Sequence, residues 1–187
     1  MTAKQELRAV MRAQRKRLSG EVPDAARRVA SHAADLPPGP VVALYRAMGS
    51  ELSSEPLAVA LMGQGRTLCL PVVIEREAPM VFRLWSPGEP LEEDEAGCPA
   101  PLPLSETVTP DLILTPLLAF DGLGGRLGQG GGYYDRTFAR LPRALRVGLA
   151  YAGQAVAQLE TEPHDIGLHG VLTENGYRAF HETGILR

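Results

Sequence analysis

Apolar residues near the start of the chain recur at helical spacing. Leu7, Val10, Met11 and Leu18 predict a helix over Thr2 to Ser19, with Thr2 and Gln5 forming a capping box and Gly20 as its stop. A second helix is predicted from about Pro23 to Asp35, because proline suits a first helical turn, and the Leu36-Pro37-Pro38-Gly39-Pro40 run breaks it. Strand and helix patterns then alternate. Val41 to Tyr45 is a short apolar run, followed by a turn at Gly49-Ser50 and a helix over Ser54 to Gln64. Thr67 to Val73 and Met80 to Trp85 read as strands. Ser86 to Pro110, rich in proline, glycine and acid, reads as a loop excursion or partly mobile lid. Asp111 to Leu118 has the pattern of a buried strand. A helix over Tyr133 to Leu141, a strand over Arg146 to Ala150, a short helix over Gln154 to Leu159 and a strand over Val171 to Glu174 complete the series. Such alternation predicts an α/β fold: a mainly parallel central sheet flanked by helices, in three layers, as a single domain over residues 1–187.

Composition narrows the classes. The 187 residues are 44% hydrophobic and 22% charged, ordinary for a globular protein, and the formal net charge of −3 supplies no global field for nucleic acid or an anionic membrane. No apolar run has the length of a membrane span, and Met1 to Glu6 lacks the apolar core of a secretory signal. Cys69 and Cys98 are far apart, so neither a zinc site nor a disulfide framework is expected, and reduced thiols suit a cytoplasmic protein.

The candidate chemistry lies between the buried strand and the helix that begins at Tyr133. Six glycines between Gly124 and Gly132 are costly to order for the sake of a turn alone. They let backbone N–H groups approach an anion, and the helix start adds a favourable dipole. A P-loop is excluded because no Gly-Lys-Ser/Thr follows, and the dinucleotide fingerprint G-x-G-x-x-G does not fit. What remains is a phosphate cradle of another class, with Arg126 as anion clamp and Asp135 as a carboxylate for Mg2+. Lys4, Arg8 and Arg12 advance in steps of four and share a helical face that would be merely solvated in an arbitrary helix.

The run Leu118-Ala119-Phe120-Asp121, continued by Gly125-Arg126-Leu127-Gly128-Gln129-Gly130-Gly131-Gly132-Tyr133-Tyr134-Asp135-Arg136, closely resembles the signature of the 5-formyltetrahydrofolate cyclo-ligase family. The resemblance extends to the first helix, to Tyr45 and Gly49-Ser50-Glu51, to Met80-Val81-Phe82-Arg83-Leu84-Trp85, and to Gly148-Leu149-Ala150-Tyr151 and His164-Asp165. It implies an ATP- and Mg2+-dependent enzyme that converts 5-formyltetrahydrofolate, in some forms polyglutamylated, to 5,10-methenyltetrahydrofolate with release of ADP and phosphate. By the same resemblance Lys4, Arg8 and the run from Arg126 through Leu127, Gly128, Gln129, Gly130, Gly131 and Gly132 to Tyr133, Tyr134 and Asp135 hold the nucleotide. Arg46, Glu51, Met80 and Trp85 hold the folate together with Gln129 to Gly132 and Tyr133. Glu51, Arg126 and Tyr134 act in catalysis, and Asp135 holds the metal.

One position departs from the family pattern. Where H-D-x-x-L-D would place an acid that helps hold the metal, this chain has His169, and histidine is a poor Mg2+ ligand. Either Asp135, phosphates and water suffice, or Asp165 substitutes, or catalysis is weakened, as in a nucleotide- or folate-binding paralogue with a regulatory role. Fold analogy alone would also allow sugar phosphates or coenzyme A, whereas a nucleic-acid partner is disfavoured by the charge. A monomer is expected. Replacing Arg126 or Asp135 by alanine is expected to cripple turnover and leave the fold intact.

Overall fold

The computed structural model describes residues 2–180. Helix α1 spans Ala3–Glu21, and its capping box is present: the Thr2 hydroxyl accepts from the Gln5 N–H and the Gln5 side chain accepts from the Thr2 N–H. Gly20 does not stop it; the helix runs one residue further and closes on Val22, whose N–H bonds Leu18. Helix α2 spans Ala25–Ser31 and gives way to a 3-10 turn at Ala33–Asp35. Helix α3 spans Glu55–Gly63 and α4 spans Tyr133–Arg140.

The strands are β1 (Val41–Ala43), β2 (Thr67–Val72), β3 (Val81–Leu84), β4 (Leu91–Glu93), β5 (Pro99–Pro101), β6 (Thr107–Val108), β7 (Leu112–Pro116), β8 (Ala119–Phe120), β9 (Arg126–Leu127), β10 (Leu145–Leu149), β11 (Gly170–Thr173) and β12 (Gly176–Ala179). The main sheet has the order β12-β11-β10-β7-β1-β2-β3-β6. β2, β1, β7, β10 and β11 are parallel, while β12 at one edge and β3 with β6 at the other are antiparallel.

Burial explains the strand pattern. Val42, Leu44, Leu68, Leu70, Leu112, Leu114, Val147 and Leu149 face α2, α3 and the end of α1. Ala43, Cys69 and Ile113 alternate with them and face Phe138 of α4. Helices therefore cover both faces in three layers. No described helix is long and apolar enough to cross a membrane.

Two segments depart from the sequence expectation. Residues 86–110, expected as a loop excursion or partly mobile lid, hold the β4–β5 hairpin and β6. Gln154–Leu159 is not a helix: a 3-10 turn at Ala152–Gln154 ends there, because the Gln154 side chain bonds the carbonyls of Leu117 and Leu118 and the chain beyond runs extended beside Phe120.

Counted in chain order, the five parallel strands lie as 2-1-3-4-5, so the order reverses between β1 and β7. In open α/β sheets ligands dock at the carboxyl ends beside such a reversal. The segments that leave β1 and β7 there are Leu44–Glu51 and Leu117–Gly132.

Candidate active site

A cavity of about 590 Å3 opens at that reversal. Tyr45, Arg46, Met48 and Glu51 reach it from the end of β1, Pro71 and Val73 from β2, Pro116 from β7, and Asp94 and Cys98 from the β4–β5 hairpin. Lys4 and Arg8 of α1, Met80, and the run from Gly128 to Asp135 complete the lining beside Arg76, Glu162, His164 and Asp165.

The glycine run divides into two parts with different work. Phe120 to Leu127 is a hairpin, β8–β9, pinned from within by Asp121. One carboxylate oxygen of Asp121 accepts the N–H groups of Leu123 and Gly125, and the other accepts that of Leu159, at 2.8–2.9 Å. Asp121 is thereby buried away from the cavity. Gly128 to Gly132 border the open space, joined from the hairpin by Arg126. Gly130 (φ +107°) and Gly132 (φ +68°) occupy a left-handed conformation that L side chains rarely adopt. A Cβ on Gly130 would lie 3.5 Å from the Arg8 guanidinium, an ordinary van der Waals contact, so the cation lies beside this stretch of backbone. Gly132 is also the N-cap of α4 and supplies no side-chain acceptor. The first intrahelical bond is Arg136 N–H to Gly132 C=O, so the N–H groups of Tyr133, Tyr134 and Asp135 have no acceptor within the helix.

Charged groups are arranged around this cradle. Lys4 donates to Asp165 at 2.9 Å and lies 3.3 Å from Glu162. Its pKa is raised because those two acids outweigh burial. Asp165 is held below the usual carboxylate range, since the Glu162 N–H and Lys4 overcome burial. Arg8 Nε donates to the Gly128 carbonyl at 3.0 Å, and Arg12 Nε to the Gln129 side chain at 3.0 Å. Arg126 Nη2 donates to Asp135 Oδ1 at 2.7 Å, where the Ile166 N–H also arrives at 3.1 Å. The Arg126 guanidinium stacks near Tyr134 and Phe138. The two groups read from sequence as separate clamps, one for phosphate and one for metal, are thus partners.

At the folate-side end of the sequence reading, Arg46 lies 3.5 Å from Glu55 and 5.6 Å over the Trp85 ring. Glu51 Oε2 accepts the Met48 N–H at 3.0 Å, and Oε1 lies 3.6 Å from Arg15. Burial pushes the Glu51 carboxyl above its ordinary range, against the pull of the Met48 N–H and Arg15. Burial likewise raises the Tyr134 hydroxyl far above its normal value, with Glu51 adding to the rise.

Lys4, Arg8, Arg46, Glu51, Met80, Arg126, Gly128, Gln129, Gly130, Gly131, Gly132, Tyr133, Tyr134 and Asp135 therefore converge on one cavity. Three residues do not. Leu127 packs with Met11 and Leu118 in an apolar cluster, because strand alternation turns it inward from Arg126. Trp85 is buried among the residues that face α2 and α3, so its ring supports Arg46 and does not line the cavity. His169 stands at the amino end of β11, away from the carboxyl ends that carry the site, and its ring nitrogens contact the Arg146 N–H at 2.9 Å and guanidinium at 3.2 Å. A histidine there removes no ligand from the cavity lining.

The sequence reading missed Asp94, Cys98, Arg76 and Arg15. Asp94 organises its hairpin by accepting the N–H groups of Val73, Ala96 and Cys98. In sequence it is one acid among several in a polar stretch.

The profile of the 5-formyltetrahydrofolate cyclo-ligase family matches residues 1–174. The 5-formyltetrahydrofolate cyclo-ligase of Haemophilus influenzae is 36% identical over 141 residues, 70% of this chain and 74% of that protein. The protein of the same name from Escherichia coli K12 is 35% identical over 142 residues, 71% and 76% of the two chains. The NMR structure of the 5,10-methenyltetrahydrofolate synthetase of Aquifex aeolicus superposes with a TM-score of 0.82 at 30% identity, covering 100% of this chain and 97% of the other. The Mycoplasma pneumoniae synthetase shares the fold, with a TM-score of 0.71 at 22% identity over 92% and 99% of the chains.

Proposed function

The chain belongs to the 5-formyltetrahydrofolate cyclo-ligase family, and from that premise we propose that the cavity brings ATP and Mg2+ to 5-formyltetrahydrofolate and closes it to 5,10-methenyltetrahydrofolate, with release of ADP and phosphate. Cyclo-ligase activity on 5-formyltetrahydrofolate follows from the family itself. The nucleotide, the metal and the residue roles are the finer part of the proposal.

Ring closure must expel the formyl oxygen, which leaves badly as hydroxide. Transfer of the γ-phosphoryl group to that oxygen makes it part of a phosphate. The folate N10 then attacks the activated carbon, its electron pair forms the new C–N bond, the N10 proton is released, and the C–O pair leaves with phosphate. Catalysis of this kind is mostly positioning and neutralisation of charge. Gly128 to Gly132 and the open N–H groups at the start of α4 receive phosphate oxygens, with Lys4 and Arg8 above them. Asp135 lines the cavity beside the cradle and offers hard carboxylate oxygens that suit Mg2+, which when bound would neutralise charge on the phosphates. Arg126 orients Asp135 through their hydrogen bond. Glu51 and Tyr134 face the remaining space, walled by Met48, Pro71, Val73, Met80 and Pro116, which suits a flat pterin. Glu51 accepts an N–H of that ring.

The single observation that carries the proposal is the side-chain-free, left-handed helix start at Gly132, faced by Lys4 and Arg8 inside the same cavity as Glu51. The regulatory-paralogue reading rested on His169, which lies outside the lining. The test is direct: purified protein, ATP, Mg2+ and 5-formyltetrahydrofolate are mixed and the near-ultraviolet methenyl chromophore is followed. It should grow only when all components are present. Folded protein that yields no chromophore under those conditions would overturn the proposal.

A further inference from the structure

Lys4, Arg8 and Arg12 reach the glycine run or the acids beside it. Arg15 follows on the same side of α1. At ~100° per residue it stands about 20° round from Lys4, yet it is buried rather than at the cavity mouth, with 6% of its surface exposed. Its Nε donates to Ser50 Oγ at 3.2 Å and its Nη1 to the Leu117 carbonyl at 3.5 Å, and the same Nη1 lies 3.6 Å from Glu51 Oε1. Ser50 and Glu51 follow β1, and Leu117 follows β7. One guanidinium therefore joins α1 to both strand ends that flank the cavity. Burying a cation is costly unless it is paired, and a leucine or methionine would fill the same space without that cost. A purely packing role thus leaves the charge unexplained.

Glu51 gives the charge a purpose. Its two oxygens are held separately, one by the Met48 N–H and one by Arg15. The other titratable groups that bear on it are Tyr45 beyond β1, Tyr134 on α4 and Cys98 on the β4–β5 hairpin. Each of these is neutral or negative, so Arg15 is the cation among the groups that act on Glu51.

We propose that Arg15 is a positioning residue for the folate-binding carboxylate, holding Glu51 aimed into the cavity as an acceptor for ring N–H groups. The inference rests on the cyclo-ligase reading for its consequence in turnover, not for its geometry. Burial drives Glu51 toward its neutral form, and Arg15 opposes that drive. An opposite charge at such range lowers a carboxyl pKa by about 1–3 units, so removing it moves Glu51 upward.

Two measurements test this, and the first needs no turnover. In carboxyl 13C NMR of the ligand-free protein, Arg15→Met should raise the Glu51 midpoint by about one pH unit or more; an unmoved midpoint overturns the proposal. In kcat/KM profiles for methenyl formation, the acid limb should shift upward in Arg15→Met and vanish in Glu51→Gln. A purely structural role would lower activity equally at every pH and leave the limb in place. If Arg15→Met does not fold, Arg15→Lys carries the test: the charge is kept, so the Glu51 midpoint should stay near the wild-type value, and a full upward shift there overturns the proposal. Wild-type protein without chromophore would sink the cyclo-ligase reading while the NMR titration still decides the role of Arg15.

Discussion

Asp135→Asn keeps the side chain's shape and removes its charge, which isolates the pair at the base of the glycine run. Arg126 Nη2 and Asp135 Oδ1 are 2.7 Å apart, with 6% and 19% of their side chains exposed. Without the Asp135 charge the guanidinium keeps the faces of Tyr134 at 5.9 Å and Phe138 at 5.5 Å, and its Nε is already buried without a partner among the described residues. Unit charges about 4 Å apart attract by about 4 kcal/mol at an effective dielectric near 20. Removing one half of a buried pair costs about 3–5 kcal/mol. The partial exposure of Asp135 puts the cost at the lower end, about 3 kcal/mol. In a domain of this size each kcal/mol moves Tm by about 2–4 °C, so Tm should fall by about 6–12 °C. Thermal unfolding followed by circular dichroism gives this number. A cycle with Arg126→Met should return a coupling of about 2 kcal/mol, the double variant being less damaged than the two singles summed. A Tm within about 2 °C of wild type, or additive singles, would refute the reasoning. The expectation that Arg126→Ala or Asp135→Ala cripples turnover with the fold intact is compatible with this one, the variants folding at a lower Tm.

Two further outcomes follow from the glycine run. Gly132→Ala forces a left-handed backbone at a cost of roughly 1–2 kcal/mol and places Cβ 2.7 Å from Arg136 Nη1; Tm should fall by a few degrees and KM for ATP should rise, and an unchanged KM in steady-state kinetics would count against the phosphate cradle. Asp121→Asn exchanges an acceptor for a donor among three backbone N–H groups and should cost about 1–3 kcal/mol, with lost hydrogen-exchange protection at Gly125 and Leu159; full protection would refute the pinning role of Asp121.

Much of the architecture was legible because burial imposes a local pattern. A strand covered on both faces must be apolar throughout, as Leu112, Ile113 and Leu114 are, and a half-buried helix must repeat every turn, as Leu7, Met11 and Leu18 do on α1. The cap at Thr2 was legible for the same reason, since its partner is three residues away. The β4–β5 and β8–β9 hairpins were not. Their strands are two or three residues long, and each is held by one aspartate that bonds backbone N–H groups within its own turn and one from a distant segment. In sequence Asp94 reads as a loop acid and Asp121 as part of a ligand signature.

The chain's own pattern determined the alternating strands and helices, the glycine run before α4 and the family signature. Tertiary structure alone decided which charges meet. Lys4 finds Asp165, Arg8 finds Gly128, Arg15 finds Glu51, and Arg126 finds Asp135. It also decided that Trp85 and Leu127 turn into the core and that His169 stands at the far end of its strand. The physical reason is range. Hydrophobic periodicity reports a residue's relation to its own helix or strand, whereas a charged side chain is defined by the partner that desolvates with it, and sheet order rather than sequence distance brings that partner near.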